Sequence, residues 1–398
     1  MRNSILIMNK VSSFKLVLFI GLLYFLQLQS LYGHSNNSAV IDTVLKKYDR
    51  YISNTIEEGR VPGVAVAVVT DSQIVFIKGY GLKEIGKPEP IDLNTSFRIA
   101  SVSKGFASVL TAMLVKDSVL SWDDKVIKYL PEFTLKDSAA TQNLTIRHVL
   151  SHTSGLVPHA YDNLVEANVS YEKIINKLKN VRLVCKTGDC YGYQNVMYSL
   201  ISEIIESATG FGYIYWLSEK ILKPLNMNDV SFSKKGLLEN ENYAHPHVKV
   251  AGEWSATRVR DTYYTVIPAA GINASIMDMA IWTQALLGVY PQVISPEITE
   301  EIFRPKIETY YERRRFNWRK RLQEAYYGLG WRIFNYSGHT MIFHSGGLRG
   351  YLSKLAILPH ERIGIVVLQN AWTRNPLLYQ FIDMYLNLPE EEPALGTN

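Results

Sequence analysis

The chain has 398 residues, of which 47% are hydrophobic and 20% charged, and a formal net charge of +5. That length suits one large domain or two closely packed ones, and without repeats or low-complexity tracts it excludes a solenoid or a mainly disordered chain. Arg2, Lys10 and Lys15 lie in residues 1–33, which hold no acid; the remainder carries only about +2, which gives no reason to expect a nucleic-acid partner.

Those first 33 residues pair positive charge with the apolar run Leu16–Leu26, the pattern of an export signal. The run is short for a spanning helix, although an uncleaved anchor is the alternative. Export places the protein in the periplasm or outside the cell. Next, Val64-Ala65-Val66-Ala67-Val68-Val69, a turn at Thr70–Ser72 and Ile74–Ile77 predict a hairpin of buried strands. Phe106, Val109, Leu110, Met113 and Leu114 predict a core helix.

At the start of that helix stands Ser101-Val102-Ser103-Lys104. Residues three apart on a helix are neighbours. An amine there can take the hydroxyl proton if burial or nearby positive charge lowers its pKa. The helix N-terminus would suit a developing oxyanion. The same Ser-x-x-Lys spacing at Ser12, Ser170 and Ser231 lacks this setting. Ser101 as a simple N-cap is the competing reading.

Further on, Cys185 and Cys190 bracket a short loop. In an exported chain a disulfide is the favoured reading and two free thiols the other; without a local histidine they make a poor zinc site. Tyr193-Gln194-Asn195 follows, just before an apolar helix opening at Val196. His344-Ser345-Gly346-Gly347 lies between Met341–Phe343 and the strand-like Tyr351–Leu358. Single triplets are weak, since Tyr161–Asn163 and Tyr385–Asn387 also fit Tyr-x-Asn. Three motifs in this order are specific.

With these motifs the chain resembles the serine hydrolases of the class C β-lactamase and D-alanyl-D-alanine carboxypeptidase superfamily, from about Val61 to Leu368. Connecting phrases share the likeness: Leu150–Leu156, Pro224–Met227, Ala270-Gly271-Ile272 with Asp278, and Tyr327–Trp331. The resemblance implies an α+β fold of the β-lactamase/transpeptidase type, an antiparallel sheet flanked by helices. Residues 34–116 and 278–388 would form the sheet region, 117–277 an inserted, mostly helical region, and 389–398 a disordered tail.

It also implies roles. Ser101 would be the nucleophile, Lys104 would assist loss of its proton, and Tyr193 would pass a proton to the leaving group. Asn195 would bind Lys104 and the substrate amide. His344, Ser345 and Gly346 would edge the substrate, with an oxyanion hole from the N–H groups of Ser101 and of the residue after Gly346. No metal or organic cofactor is needed. The substrate would be a small molecule or peptide, with peptidoglycan-type D-alanyl peptides first, then β-lactams and esters. A non-catalytic binder of cell-wall peptide or lipid is the alternative from another class.

Several features weigh against hasty matching. Lys186-Thr187-Gly188 mimics the third motif of class C β-lactamases but precedes Tyr193, and reads as a turn. The third motif here carries His344, which would titrate near about pH 6.5 where a lysine would be a permanent cation. Arg349 could supply the missing charge, or be a solvated loop residue. His152 in His-Thr-Ser-Gly reads as a structural turn, and His245-Pro246-His247 as a loop rather than a metal site. The run Arg313 to Arg321 could contact an anionic membrane surface or cell-wall polymer, or be a solvated insertion.

Overall fold

A strand made from Val64–Val69 is apolar at every position, so it is stable only if covered on both faces. In the computed structural model, which describes residues 41–312, 321–373 and 375–389, this run forms β1 (Gly63–Thr70), buried at all but its last residue. β2 (Ile74–Gly81) pairs with it but is only half-buried. The hairpin was expected to be buried throughout. β2 departs from this because it lies at the sheet edge, with a neighbour on one side only.

The chain then leaves the sheet and returns as β3 (Ile307–Glu308), β4 (Leu322–Tyr327), β5 (Arg332–Tyr336), β6 (His339–Leu348), β7 (Tyr351–Leu358) and β8 (Ile363–Gln369). The eight strands run antiparallel in the order β2-β1-β8-β7-β6-β5-β4-β3. Between β2 and β3 the described residues are mainly helical. Of these helices, α1 (Ser103–Lys116), α2 (Asp162–Glu166), α3 (Asn195–Tyr198), α4 (Leu200–Thr209) and α5 (Ile276–Leu286) position the site.

α1 is buried on every side from Ser103 to Leu114, which explains why apolar and small residues occupy all its faces there. Phe106 of α1 stacks on Trp282 of α5, ring centroids 4.0 Å apart. α5 starts with a capping box between Ser275 and Asp278 and packs on β1 and β8. Asp278, part of a family phrase, is thus a helix cap. α4 turns Leu200, Ile201, Ile204 and Ile205 inward and stops at Gly210, φ 76°, a left-handed position that favours glycine.

Cys185 and Cys190 form a disulfide. It staples the loop that leads into Tyr193.

The chain divides into two compact units, Thr55–Leu378 and Met1–Asn54 with Tyr379–Asn398. The eight-stranded sheet and the inserted region 117–277 fall within the first of these, while residues 41–54 and 379–388 of the expected sheet region fall in the second. In the second, Tyr48 and Phe381 meet with ring centroids 5.2 Å apart. Among the described residues no helix is long and apolar enough to cross a membrane. The export segment, the run from Arg313 to Lys320 and the tail after Pro389 lie outside the described residues.

Phe106→Ala removes a fully buried ring from the α1–α5 contact. It should lower unfolding stability in urea by about 3–5 kcal/mol; a loss below about 1 kcal/mol would contradict this packing.

Candidate active site

The nucleophile candidate sits on a constrained turn. Phe97–Arg98 pairs with Asn273–Ala274, and Ile99 N–H donates to Ile272 O at 3.1 Å. Ala100 then takes φ 48°, a left-handed conformation that costs a non-glycine residue free energy and is commonest at functional sites. Ser101 lies in a single 3₁₀ turn, Ala100–Val102, and α1 proper begins at Ser103 with Val102 as its cap. The N-cap reading of Ser101 therefore fails. Its side chain is half-buried and lies beside the Tyr193 phenol, whose pKa it helps to lower.

Lys104 is fully buried on the first turn of α1. Its Nζ donates to Asn195 Oδ1 at 2.7 Å and to Ala269 O at 3.0 Å, and faces the Tyr193 ring at 4.5 Å. Burial pushes its pKa well below the usual lysine range; the Asp162 carboxylate opposes that shift and the Arg332 guanidinium adds to it. A neutral amine has two hydrogens and one lone pair. With both hydrogens donated, the lone pair remains to accept a proton.

Tyr193 and Asn195 arrive from the inserted helices. Tyr193 is buried, and burial pushes its pKa up to about 12, against the opposing effects of Arg332 and the Ser101 hydrogen bond. It is therefore a neutral phenol, able to donate, at neutral pH. Asn195 opens α3 and donates from Nδ2 to Asp162 Oδ2 at 2.8 Å. The segment is clamped from below by His152, whose Nδ1 accepts from Gln194 N–H at 3.2 Å and whose ring lies 4.4 Å from that of Tyr193.

The third motif lies inside β6, which outruns its neighbour. β5 pairs with β6 from His339 to Phe343 only, whereas β7 pairs with it as far as Leu348. Backbone groups alternate between the two edges of an antiparallel strand. The two-residue turns at Ser337-Gly338 and Arg349-Gly350 make Tyr336/His339 and Leu348/Tyr351 the closing pairs. By that alternation, residues 344, 346 and 348 address β7, while Ser345 and Gly347 address the edge that β5 has vacated. At Gly346 a Cβ would lie 2.7 Å from Ser101 N and 2.2 Å from Ile99 O, so only glycine lets β6 approach the nucleophile turn. Ser353 Oγ on β7 fastens the same turn by donating to Ile99 O at 2.5 Å. By that alternation the Gly347 N–H faces the edge vacated by β5, and Gly346 beside it packs against the nucleophile turn at Ser101 N.

His344 corrects an expectation. Its ring is fully buried, with Nε2 3.3 Å from both Tyr327 Oη and Arg332 Nη1 and Nδ1 3.0 Å from Ser345 O. A guanidinium only donates, so Nε2 accepts and Nδ1 carries the hydrogen. Burial holds its pKa well below the ordinary value, and Arg332 and Lys104 add to the effect. His344 is a neutral link within the wall, not a group that titrates against substrate.

The fixed cation here is Arg332 of β5, buried, 5.3 Å from the Tyr193 ring and 3.5 Å from Glu312 Oε2. Arg349 is exposed at the tip of the β6–β7 turn, and Ser345 is half-buried on β6. Lys186 is exposed in the turn of the disulfide loop. His245 faces the Glu84 carboxylate at 3.3 Å, and His247 Nε2 accepts from Ile85 N–H at 3.0 Å and so braces the backbone. Among the described residues no group of three or more side chains could hold a metal.

Sequence reasoning missed Arg332, Asp162 and the Ala269 carbonyl. Arg332 and Ala269 adjoin the phrases Tyr327–Trp331 and Ala270–Ile272. Asp162 stands inside Tyr161-Asp162-Asn163, set aside as a chance Tyr-x-Asn.

A family model described as Beta-lactamase matches residues 48–379. The chain belongs to the beta-lactamase family. It is similar to Protein flp of Staphylococcus aureus (strain MRSA252), 24% identical over 335 residues, covering 82% of this chain and 62% of that protein. It is similar also to the Unguisins hydrolase ungD of Aspergillus violaceofuscus, 25% identical over 388 residues, covering 87% of this chain and 65% of that one. The chain therefore spans less than two thirds of these curated relatives. Two solved structures share its fold. The octameric penicillin-binding protein homologue from Pyrococcus abyssi has a TM-score of 0.75 at 24% identity, covering 86% of this chain and 77% of its own. EstCE1, a hydrolase with promiscuous acyltransferase activity, has a TM-score of 0.74 at 18% identity, covering 87% and 99%. The fold is that of the β-lactamase/transpeptidase type, as the sequence motifs implied.

Because Arg332 helps keep Lys104 neutral, Arg332→Gln should raise the lysine pKa. The rate at which a fluorophosphonate labels Ser101 should rise with pH as Lys104 loses its proton. In the variant that rise should come at higher pH. An unchanged profile would contradict the role given to Arg332.

Proposed function

We propose that the protein is an exported serine hydrolase that cleaves an amide, β-lactam or ester bond through an acyl-enzyme on Ser101. The observation that carries this reading is the buried Lys104 amine, donating to Asn195 Oδ1 and Ala269 O and pushed by burial well below the usual lysine range, toward a form whose lone pair can act as a base. In the first step Ser101 Oγ gives its proton to Lys104 and bonds to the substrate carbonyl carbon. The carbonyl oxygen takes the negative charge between the N–H groups of Ser101 and Gly347; losing one such donor costs about 2.7–4 kcal/mol of transition-state stabilisation. The phenol of Tyr193 then protonates the leaving nitrogen or oxygen as its bond to carbon breaks, and Lys104 restores the phenol proton. Water releases the acyl group by the reverse sequence.

The substrate is a small molecule or a peptide, with D-alanyl peptides and β-lactams to be tried first. An esterase is the second reading. It is favoured by the neutral His344 and by the engagement of Arg332 with Glu312, which among the described residues leave a substrate carboxylate without a dedicated cation in this wall. The EstCE1 likeness supports it through the fold alone. A binding module has no need of a buried neutral amine beside a hydroxyl and a phenol, so that alternative is not favoured.

An intact-mass time course with a penicillin, alongside turnover of p-nitrophenyl acetate, tests the proposal. An adduct or turnover that falls by about 10³-fold or more in Ser101→Ala is expected. A Ser101→Ala protein with full activity would remove the nucleophile assignment.

A further inference from the structure

Asn195 meets Lys104 through its side-chain amide, and an amide has two ends of nearly equal size. With the oxygen toward Lys104, the amide takes a hydrogen from the amine. With the nitrogen toward it, the amide could be met only by the amine's lone pair, since a neutral amine has no other acceptor. The two orientations therefore differ in whether a base is left for Ser101. Nothing in Asn195 itself decides between them.

The decision is made at the far end of the amide. Asn195 Nδ2 donates to Asp162 Oδ2 at 2.8 Å, and an ionised carboxylate accepts but cannot donate. Asp162 can thus partner the nitrogen of the amide and never its oxygen. The carboxylate is itself held: its side chain is only 14% exposed, and the same Oδ2 accepts from His159 Nδ1 at 2.7 Å. Its backbone is anchored too. His159 N–H donates to Tyr193 O at 2.8 Å and Asp162 N–H to His159 O at 3.1 Å, while Tyr161, at φ 63°, turns the chain into α2. The segment carrying Asp162 is therefore pinned to the motif carrying Tyr193 and Asn195.

We propose that Asp162 is a positioning residue for the base. By accepting from Asn195 Nδ2 it fixes that amide with its oxygen toward Lys104, so that the lysine lone pair stays free for Ser101. The inference rests on the Ser101 hydrolase reading. It adds to that reading a residue that acts only through Asn195.

The test is a series of variants assayed for kcat/KM on an ester or penicillin whose turnover depends on Ser101. Asp162→Ala should lower kcat/KM by about 10- to 100-fold, the range expected when a buried hydrogen-bond partner is removed. Asp162→Asn should stay within about 3-fold of the parent, because its carbonyl oxygen can take the place of Oδ2 and accept from both Asn195 Nδ2 and His159 Nδ1. In an Asn195→Ala background, Asp162→Ala should cost little more, since the group it orients is gone.

Equal losses in Asp162→Ala and Asp162→Asn would overturn the proposal, and so would full additivity with Asn195→Ala. If Asp162→Ala does not fold, the comparison of Asp162→Asn with the parent and with Asn195→Ala still decides: a loss in Asp162→Asn as deep as that in Asn195→Ala would refute it. Ser101→Ala separates the two levels. If that variant keeps full turnover, the hydrolase reading itself fails. If it is inactive while the Asp162 series is flat, only this inference fails.

Discussion

The site depends on one burial: the Lys104 amine, enclosed in the stretch of α1 from Ser103 to Leu114 that is wholly interior. An ammonium removed from water in this way is costly, and the lowest-cost response is to lose its proton. α1 supplies the burial. Two parts of the inserted region supply the hydrogen-bond acceptors, Asn195 Oδ1 and Ala269 O. The fold thereby pushes the amine toward its neutral form one helical turn from the Ser101 hydroxyl, which follows the left-handed residue Ala100.

Around that amine the charges are arranged in opposition. Arg332 and Asp162 act on it with opposite sign. Glu312 accompanies the arginine, and His159 the aspartate. Burial, with Arg332 nearby, holds the pKa values of His344 and His152 well below the ordinary range, so both serve as neutral hydrogen-bonding spacers. Tyr193 stays protonated for the same reason of burial. The site thus pairs an amine whose proton burial loosens with a phenol whose proton burial holds, the combination that general acid–base chemistry uses.

The sequence revealed the parts that local pattern encodes. Ser101 and Lys104 are related by helical spacing, the β1 run announces itself by unbroken apolarity, and the family phrases carry the order of the three motifs. What it concealed depends on burial and on long-range register. His344 looked like a titrating group because its burial behind β5 cannot be read from neighbours in the chain. Arg332 reaches it only because β5 pairs with β6 at Phe343. Asp162 lies 33 residues from Asn195, and its triplet resembled chance. β2 read as buried because apolar composition does not distinguish an edge strand from a central one.

The most direct test of the account is a crystal structure of the protein inactivated by a phosphonate monoester, a tetrahedral stand-in for the attacked carbonyl. The account predicts a covalent bond from Ser101 Oγ to phosphorus, one phosphonyl oxygen within hydrogen-bond reach of both Ser101 N–H and Gly347 N–H, and Lys104 still bonded to Asn195 Oδ1. Phosphorus on any other side chain, or a phosphonyl oxygen turned away from both N–H groups, would contradict it.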